Sequence, residues 1–325
     1  MAFLYDYGLF LAKTVTFVVA VAAIVGLMAA ASRRGQPDET LEVENLNRRF
    51  LKLGDALNRA ISNKKAAKEL HKQRKQESKD ADRRPSQRPR TFVIDFKGDL
   101  RASAAEALRQ EVSAVIATAS DADDVVIRLE NPGGAVHEHG FAASQLQRLR
   151  RANIELTVVV DKVAASGGYL MACVANQIVA APFAIIGSIG VLAQLPNFNR
   201  LLDKYGVDFE EITAGKHKRT VTMFGRNTDE DRAKLREELE DIHTLFKAMV
   251  AEYRPNLDID TVATGEYWYG TRAINLQLVD ALSTSDELLR AKAKDNDLYR
   301  VTWKIKQPLG RKLLQAADGV LGRWF

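Results

Sequence analysis

A serine set among small residues carries the chemistry most directly readable in this chain. Val163-Ala164-Ala165-Ser166-Gly167-Gly168-Tyr169 follows a strand-like run, Glu155–Asp161, and opens an apolar helical stretch. A hydroxyl at a strand-to-helix junction projects from the tip of a sharp turn, beside backbone N–H groups that the first helical turn leaves unsatisfied. Alanine and glycine on both sides leave room for a substrate carbonyl. Taken alone, the segment reads more simply as a tight turn with Ser166 as a helix N-cap. Two flanking features add chemistry. Upstream, the run DVVIRLE leads into Asn131-Pro132-Gly133-Gly134, and glycines at the end of a strand can turn backbone N–H groups outward to hold an oxyanion. Downstream, Ala214-Gly215-Lys216-His217-Lys218-Arg219 offers a base. A serine hydroxyl needs one within hydrogen-bond reach, and lysine serves once desolvation and neighbouring positive charge bring its pKa down toward neutrality. Each flanking feature is weak by itself, since P-G-G makes ordinary turns and basic loops are commonly solvated.

The elements that must position these groups follow from the rest of the chain. At 325 residues and 46% hydrophobic content, it is long enough for one sizeable α/β domain with appendages. The single cysteine, Cys173, allows no disulfide within the chain and suggests no cysteine metal site. His71, His137, His139, His217 and His243 are too scattered for a zinc motif.

Residues 1–31 read as a membrane anchor. From Gly8 to Ala31 the residues are apolar or small apart from Lys13, Thr14 and Thr16, and about 20 such residues span a bilayer as a helix. Lys13 is placed to snorkel toward the headgroups, and Tyr5 and Tyr7 suit the interface. The acidic, aromatic start MAFLYDY and the length of the apolar run favour an uncleaved anchor over a cleaved signal peptide. Residues 32–90 read as a charged helical connector and linker. Between Ala31 and Arg90 stand 17 Lys/Arg and 9 Asp/Glu, a local net of +8 in a chain of net +5, so all of the excess positive charge lies beside the anchor. That placement suits anionic lipid headgroups. Leu46, Phe50, Leu53, Leu57 and Ile61 repeat at helical spacing, and because Phe50 is the only aromatic in the connector, nucleic acid is not expected as a partner. The Pro/Arg/Ser mixture over 83–89 reads as a flexible linker.

Beyond residue 90 the pattern is βα units: strands over 91–96, 124–129 and 155–161, with helices over 102–117 and 136–150. Alternation of this kind predicts a parallel sheet covered by helices. Short strands are expected at Gln177–Ala180, Ile189–Ala193 and Asp208–Thr213, and a long charged amphipathic helix at Asp229–Tyr253. The apolar run 163–195 is broken by glycines, Asn176, Gln177 and Pro182 into pieces of core size, so no second membrane span is expected. A catalytic domain over 91–300 and an amphipathic tail over 301–325 complete the organisation.

Four motifs in order, N-P-G-G (131–134), A-S-G-G-Y (165–169), G-S-I-G-V (187–191) and G-x-x-K (215–218), resemble the signal peptide peptidase A family. The anchor and charged connector make the chain most similar to its SohB branch, and the resemblance covers about residues 91–285. It implies an α/β fold, a crotonase/Clp-protease-like spiral of βαβ units behind an N-terminal transmembrane helix. It also implies a serine/lysine dyad, with Ser166 as nucleophile and Lys218 as general base, Lys216 being the nearby competitor. Ser188 matches the position that orients the lysine amine, and Gly134, with Gly133 and Gly167, matches the oxyanion hole. Where many relatives carry serine before the proline, this chain has Asn131. The implied reaction is acyl transfer on peptide or unfolded protein substrates, such as signal-peptide remnants or misfolded envelope polypeptides, with no metal or organic cofactor. The implied assembly is a ring-shaped homo-oligomer whose sites can be shared between subunits.

Three alternatives stay open in the residues. A histidine base could come from His137, His139 or, most directly, His217. A crotonase-like fold also serves acyl-CoA enzymes, and an inactive membrane scaffold could keep the fold. Arg33 and Arg34 after the anchor would place the domain in the cytoplasm by the positive-inside rule, whereas the resemblance places it on the periplasmic side of the bacterial inner membrane.

Overall fold

The computed structural model describes residues 2–33, 38–61, 72, 88–215 and 218–306. Lys216, His217, most of the 62–87 linker and the tail beyond 306 lie outside the described residues. The chain divides into two compact units, one of residues 1–42 and 303–325, the other of residues 43–302.

The first unit contains helix α1, Ala2–Arg33. At 1.5 Å per residue its 32 residues extend about 48 Å. The window Tyr5–Ala22 has a mean hydropathy of 1.3, and α1 is the one helix among the described residues long and apolar enough to cross a membrane. Thr14 and Thr16 donate their hydroxyls to the carbonyls of Phe10 and Ala12 at 2.9 and 2.8 Å. Both threonine hydroxyls in the apolar run are thereby satisfied within the helix, as a hydrocarbon environment requires. The helix fits a single-pass anchor.

A seven-stranded sheet forms the frame, most of it within residues 43–302. In chain order its strands are β1 (Asp38–Asn45), β2 (Arg90–Lys97), β3 (Asp124–Glu130), β4 (Glu155–Val160), β6 (Gln177–Ala180), β9 (Ala281–Leu282) and β10 (Asp297–Lys306), arranged β1-β10-β2-β3-β4-β6-β9. Every pairing from β10 across to β9 is parallel. Parallel sheets are covered on both faces, and the strand residues divide accordingly. Phe92, Ile94, Val125, Ile127, Leu156, Val158 and Ile178 join one core cluster. The alternating Val93, Val126, Val159 and Val179 join the other, with Leu46 and Leu289. Helices α3 (Ala105–Thr118), α4 (Val136–Arg151) and α5 (Gly167–Ala172) supply Leu108, Val112, Leu146, Leu149 and Met171 to the first cluster. Helices α2 (Leu46–Ile61) and α10 (Ser285–Lys292) cover the second. The expected α/β spiral of βαβ units is therefore present, and the apolar run 163–195 contributes to its core as far as Ile189, with Phe183, Leu192 and Leu195 exposed.

A second, three-stranded sheet, β5 (Val163–Ala165), β7 (Ile185–Gly187) and β8 (Tyr267–Tyr269), carries the serine turn. Two sequence expectations are corrected here. The strand expected over Ile189–Ala193 lies at 185–187 instead, because Ser188 takes a positive φ of 52° and ends it. The segment expected as a strand over Asp208–Thr213 has no ladder partner and is irregular. Strand β1 falls in a connector read as helical, and β10 runs through to residue 306 where the tail was expected to start at 301. Helix α6 (Asn199–Lys204) is short and exposed, and α7 (Asp229–Tyr253) matches its expected bounds. The last turns of α7 pack Phe246 and Val250 into the core of the same chain.

One ion pair anchors the start of β2. The Asp123 carboxylate, 3% exposed, accepts from the Arg90 guanidinium and backbone N–H and from the Ser120 N–H and hydroxyl. Burial opposes the charge, but the hydrogen bonds from Arg90 and Ser120 outweigh it and hold the carboxyl well below the usual carboxylate range. A depressed carboxyl stabilises the fold above its unfolded pKa of about 3.9, and that contribution is lost as pH falls further toward the folded value. Asp123→Ala should cost about 3 kcal/mol near neutral pH by leaving buried donors unpaired. Thermal unfolding of the two proteins should converge below about pH 4; an equal gap at pH 7 and at acid pH would show that the charge is not responsible.

Candidate active site

Ser166 occupies the junction between β5 and α5 with φ 51° and ψ −120°. A non-glycine residue there carries about 1–3 kcal/mol of backbone strain, which persists only where the surroundings impose it. They do so here by hydrogen bonding: the Ser166 N–H donates to the Gly187 carbonyl at 2.8 Å. The parallel register Ala165↔Gly187 continues the β5–β7 ladder to that point. Ser166 and Ser188 thus follow the ends of neighbouring strands, both half-buried and both at positive φ. Ser188 is fixed in turn by its own N–H, which donates to the Glu266 carbonyl at 2.6 Å. The Ser166 hydroxyl makes no hydrogen bond among the described residues and is free for chemistry.

The N-P-G-G turn reaches this serine through Asn131. Its N–H donates to the Val163 carbonyl at 2.8 Å, and its carbonyl accepts from Ala165 at 3.1 Å, which lays the turn along β5. A Cβ placed on Gly133 would lie 2.8 Å from the Ser166 Cβ and 2.9 Å from the Gly167 nitrogen, and one on Gly168 would lie 2.1 Å from the Asn131 carbonyl oxygen. Glycine is required by this close approach of two backbones. Of the three expected oxyanion-hole residues, Gly134 and Gly167 have N–H groups with no acceptor among the described residues. Gly133 differs, because its N–H donates to the Asn131 side-chain oxygen at 2.9 Å. The Gly133 donor is therefore already engaged.

Lys218 lies on the exposed loop after Gly215, whose carbonyl accepts the Lys218 N–H at 3.1 Å. With Phe209, Ile212, Met223 and Phe224 it lines a cavity of about 650 Å³. Its amine makes no hydrogen bond to Ser166 or Ser188 within the chain. The structure therefore brings together Ser166, Ser188, Gly133, Gly134 and Gly167, and shows no hydrogen bond from Lys218 to any of them.

Sequence comparison decides the family. Residues 2–146 match the model "Peptidase family S49 N-terminal" and residues 148–299 match "Peptidase family S49". A relative from Haemophilus influenzae, named "Probable protease SohB", is 44% identical over 98% of this chain and 95% of its own length. The chain belongs to peptidase family S49. An S49 relative of the same name from Buchnera aphidicola, of the Acyrthosiphon pisum subspecies, is 54% identical over 65% of this chain and 63% of its own. A solved structure of the 1510-N membrane-bound stomatin-specific protease, a serine-to-alanine mutant, aligns with a TM-score of 0.43 at 14% identity, covering 63% of this chain and 85% of that one.

Among the described residues of this S49 chain, Cys173, His137 and His139 make no hydrogen bond to the serine hydroxyl, and His217 lies outside the described residues. The Cys173 thiol is fully buried and pushed up to about 12 by that burial, which leaves it inert. His137 is 83% exposed beside Glu138. His139, by contrast, is wholly buried, its Nδ1 3.0 Å from the Ala135 carbonyl oxygen and its Nε2 3.1 Å from the Asn131 side-chain oxygen. Neither ring makes a hydrogen bond to Ser166. Behind the site, the Tyr169 hydroxyl donates to the Leu278 carbonyl at 3.0 Å. Arg254 pairs with Asp280, which also accepts the Ile178 N–H. The late Leu278-Val279-Asp280 segment is thereby tied to the back of the serine helix and to β6. Sequence spacing gave no sign of the Asn131–His139 contact, which exists only once α4 packs beside the serine turn.

Proposed function

We propose that the chain is a membrane-anchored serine endopeptidase with a Ser166/Lys218 dyad. The observation that carries the reading is the strained Ser166 turn, with a free hydroxyl and the unengaged N–H groups of Gly134 and Gly167 beside it. In the reaction, neutral Lys218 accepts the Ser166 proton as the oxygen attacks the peptide carbonyl. The Gly134 and Gly167 N–H groups hold the resulting oxyanion. Lysinium then protonates the leaving amine, and water, deprotonated by the same amine, hydrolyses the acyl-enzyme. Ser188 orients the amine. The substrates are signal-peptide remnants or misfolded envelope polypeptides, met on the periplasmic side of the bacterial inner membrane.

An exposed lysine is a poor base because water holds its proton. The surface around Lys218 answers this need: Phe209, Ile212 and Phe224, which line the same cavity, are exposed large hydrophobics, Ile212 94% so. A second copy packed over this surface would exclude water from the amine and deliver it to a neighbouring serine, as a ring of shared sites requires. Mixing a Ser166→Ala chain with a Lys218→Ala chain tests this. Restored peptide cleavage in the mixture is expected, and an inert mixture would mean that each site is completed within one chain.

A further inference from the structure

We propose that His139 is a positioning residue that holds the two halves of the oxyanion hole in register through Asn131. The proposal rests on the serine-peptidase reading above and concerns a residue outside the dyad. His139 stands in the first turns of α4 and is wholly buried. It touches both halves of the hole. On one side its Nε2 lies 3.1 Å from the Asn131 side-chain oxygen, which also accepts the Gly133 N–H at 2.9 Å. On the other, the ring packs against Gly167, where a Cβ would fall 2.4 Å from its Cγ and 2.6 Å from its Cδ2.

An amide oxygen has two lone pairs. In Asn131 one takes the Gly133 N–H, and the other faces His139. Both ring nitrogens face oxygens that can only accept, the Ala135 carbonyl at Nδ1 and the Asn131 amide at Nε2. The positioning role requires the proton on Nε2, from which the imidazole donates to Asn131 and fixes the side-chain torsion that holds Gly133. The peptide leading to Gly134 is thereby set against Ser166. Asn131 is held further by its Nδ2, which lies 3.3 Å from the Met171 sulfur, and by both of its backbone groups on β5. The same ring is the floor under Gly167, so one side chain fixes the separation of the Gly134 and Gly167 N–H groups. That separation decides whether both donors can reach one oxyanion. The bond also gives asparagine at 131 a purpose: its oxygen reaches both Gly133 and the histidine.

The test uses the full chain in detergent, with a fluorogenic apolar peptide as substrate. Misplacing an oxyanion donor acts on the transition state, so His139→Leu should lower kcat by about 10²-fold with KM changed by less than about threefold. His139→Gln keeps an N–H donor at that reach and should recover at least about tenfold of the loss. Wild-type kcat in His139→Leu, or no recovery in His139→Gln, overturns the proposal. Nitrogen-15 shifts of the histidines in the wild-type chain give a measurement independent of any variant's folding. A proton on His139 Nε2 is expected, and a ring protonated on Nδ1 alone overturns the proposal. Ser166→Ala separates the two levels. If it is inert while His139→Leu keeps wild-type kcat, only the positioning role fails; if it cleaves as wild type does, the serine reading fails and takes the positioning role with it.

Discussion

Ser166→Ala is expected to lose at least about 10⁴-fold in peptide cleavage while unfolding at the wild-type temperature. The two halves of that expectation have separate physical grounds. The substitution removes one oxygen that makes no hydrogen bond among the described residues, and the Ser166 backbone bond to Gly187 is untouched. Its effect on stability should therefore stay within about 0.5 kcal/mol, as for other changes that break no contact. Activity depends on that oxygen alone, because without it no acyl-enzyme forms and only the binding and oxyanion contributions remain. A fluorophosphonate should label the wild-type chain at Ser166 and leave Ser166→Ala unlabelled. Lys218→Ala should be as inactive for a different reason, the loss of the base. Lys218→Arg should not rescue it, since a guanidinium stays protonated throughout the accessible pH range. Wild-type cleavage by both alanine variants would rule the dyad out. An acyl-CoA enzyme of the same fold would show another pattern, since it needs no serine nucleophile.

The features legible in the sequence were those fixed by local pattern. Short apolar strands such as TFVIDF (buried along most of its length), the capped helix over 229–253 and the small-residue turn at Ser166 each express their structure within a few residues. Helix α7 shows why: Thr228 and Asp231 form a capping box at its start. Features that depend on a partner far along the chain were hidden. The acidic segment DETLEVEN reads poorly as a strand, yet it forms β1 beside β10, where Arg300 pairs with Glu44 and Lys304 with Glu42. Residues 208–213 have strand-like composition but no neighbour to complete a ladder. The site divides in the same way. Ser166 and its glycines announce themselves by spacing. The engagement of the Gly133 N–H and the burial of His139 depend on Asn131, whose side chain is directed by tertiary packing.

Gly134→Ala should remove most of the activity through the backbone alone. A Cβ on Gly134 would lie 2.2 Å from the Leu100 carbonyl oxygen and 2.7 Å from the Leu100 carbonyl carbon. Those atoms cannot swing aside as a side-chain tip can. The Leu100 carbonyl accepts the Ala135 N–H at 2.9 Å, and the same turn is tied to the sheet where Gly98 donates to Glu130 at 2.8 Å. Relief of the clash must therefore separate the 98–101 turn from the Gly134 backbone by about 1 Å, a displacement comparable to those that cost about 10²-fold in rate when they move a catalytic group. Loss of one oxyanion donor lowers kcat by about 10²–10³-fold, and that is the range expected here with Ser166 and Lys218 both intact. Overpacking should also cost about 1–3 kcal/mol, lowering the melting temperature by about 2–4 °C for each kcal/mol in a domain of this size. Gly140→Ala provides the control. It lies on α4 one residue beyond His139, a Cβ there meets nothing within 4 Å, and alanine favours a helix over glycine by about 1 kcal/mol. That variant should melt no lower than wild type and cleave at the wild-type rate. If Gly134→Ala also cleaved at the wild-type rate, its N–H would have no part in holding the oxyanion.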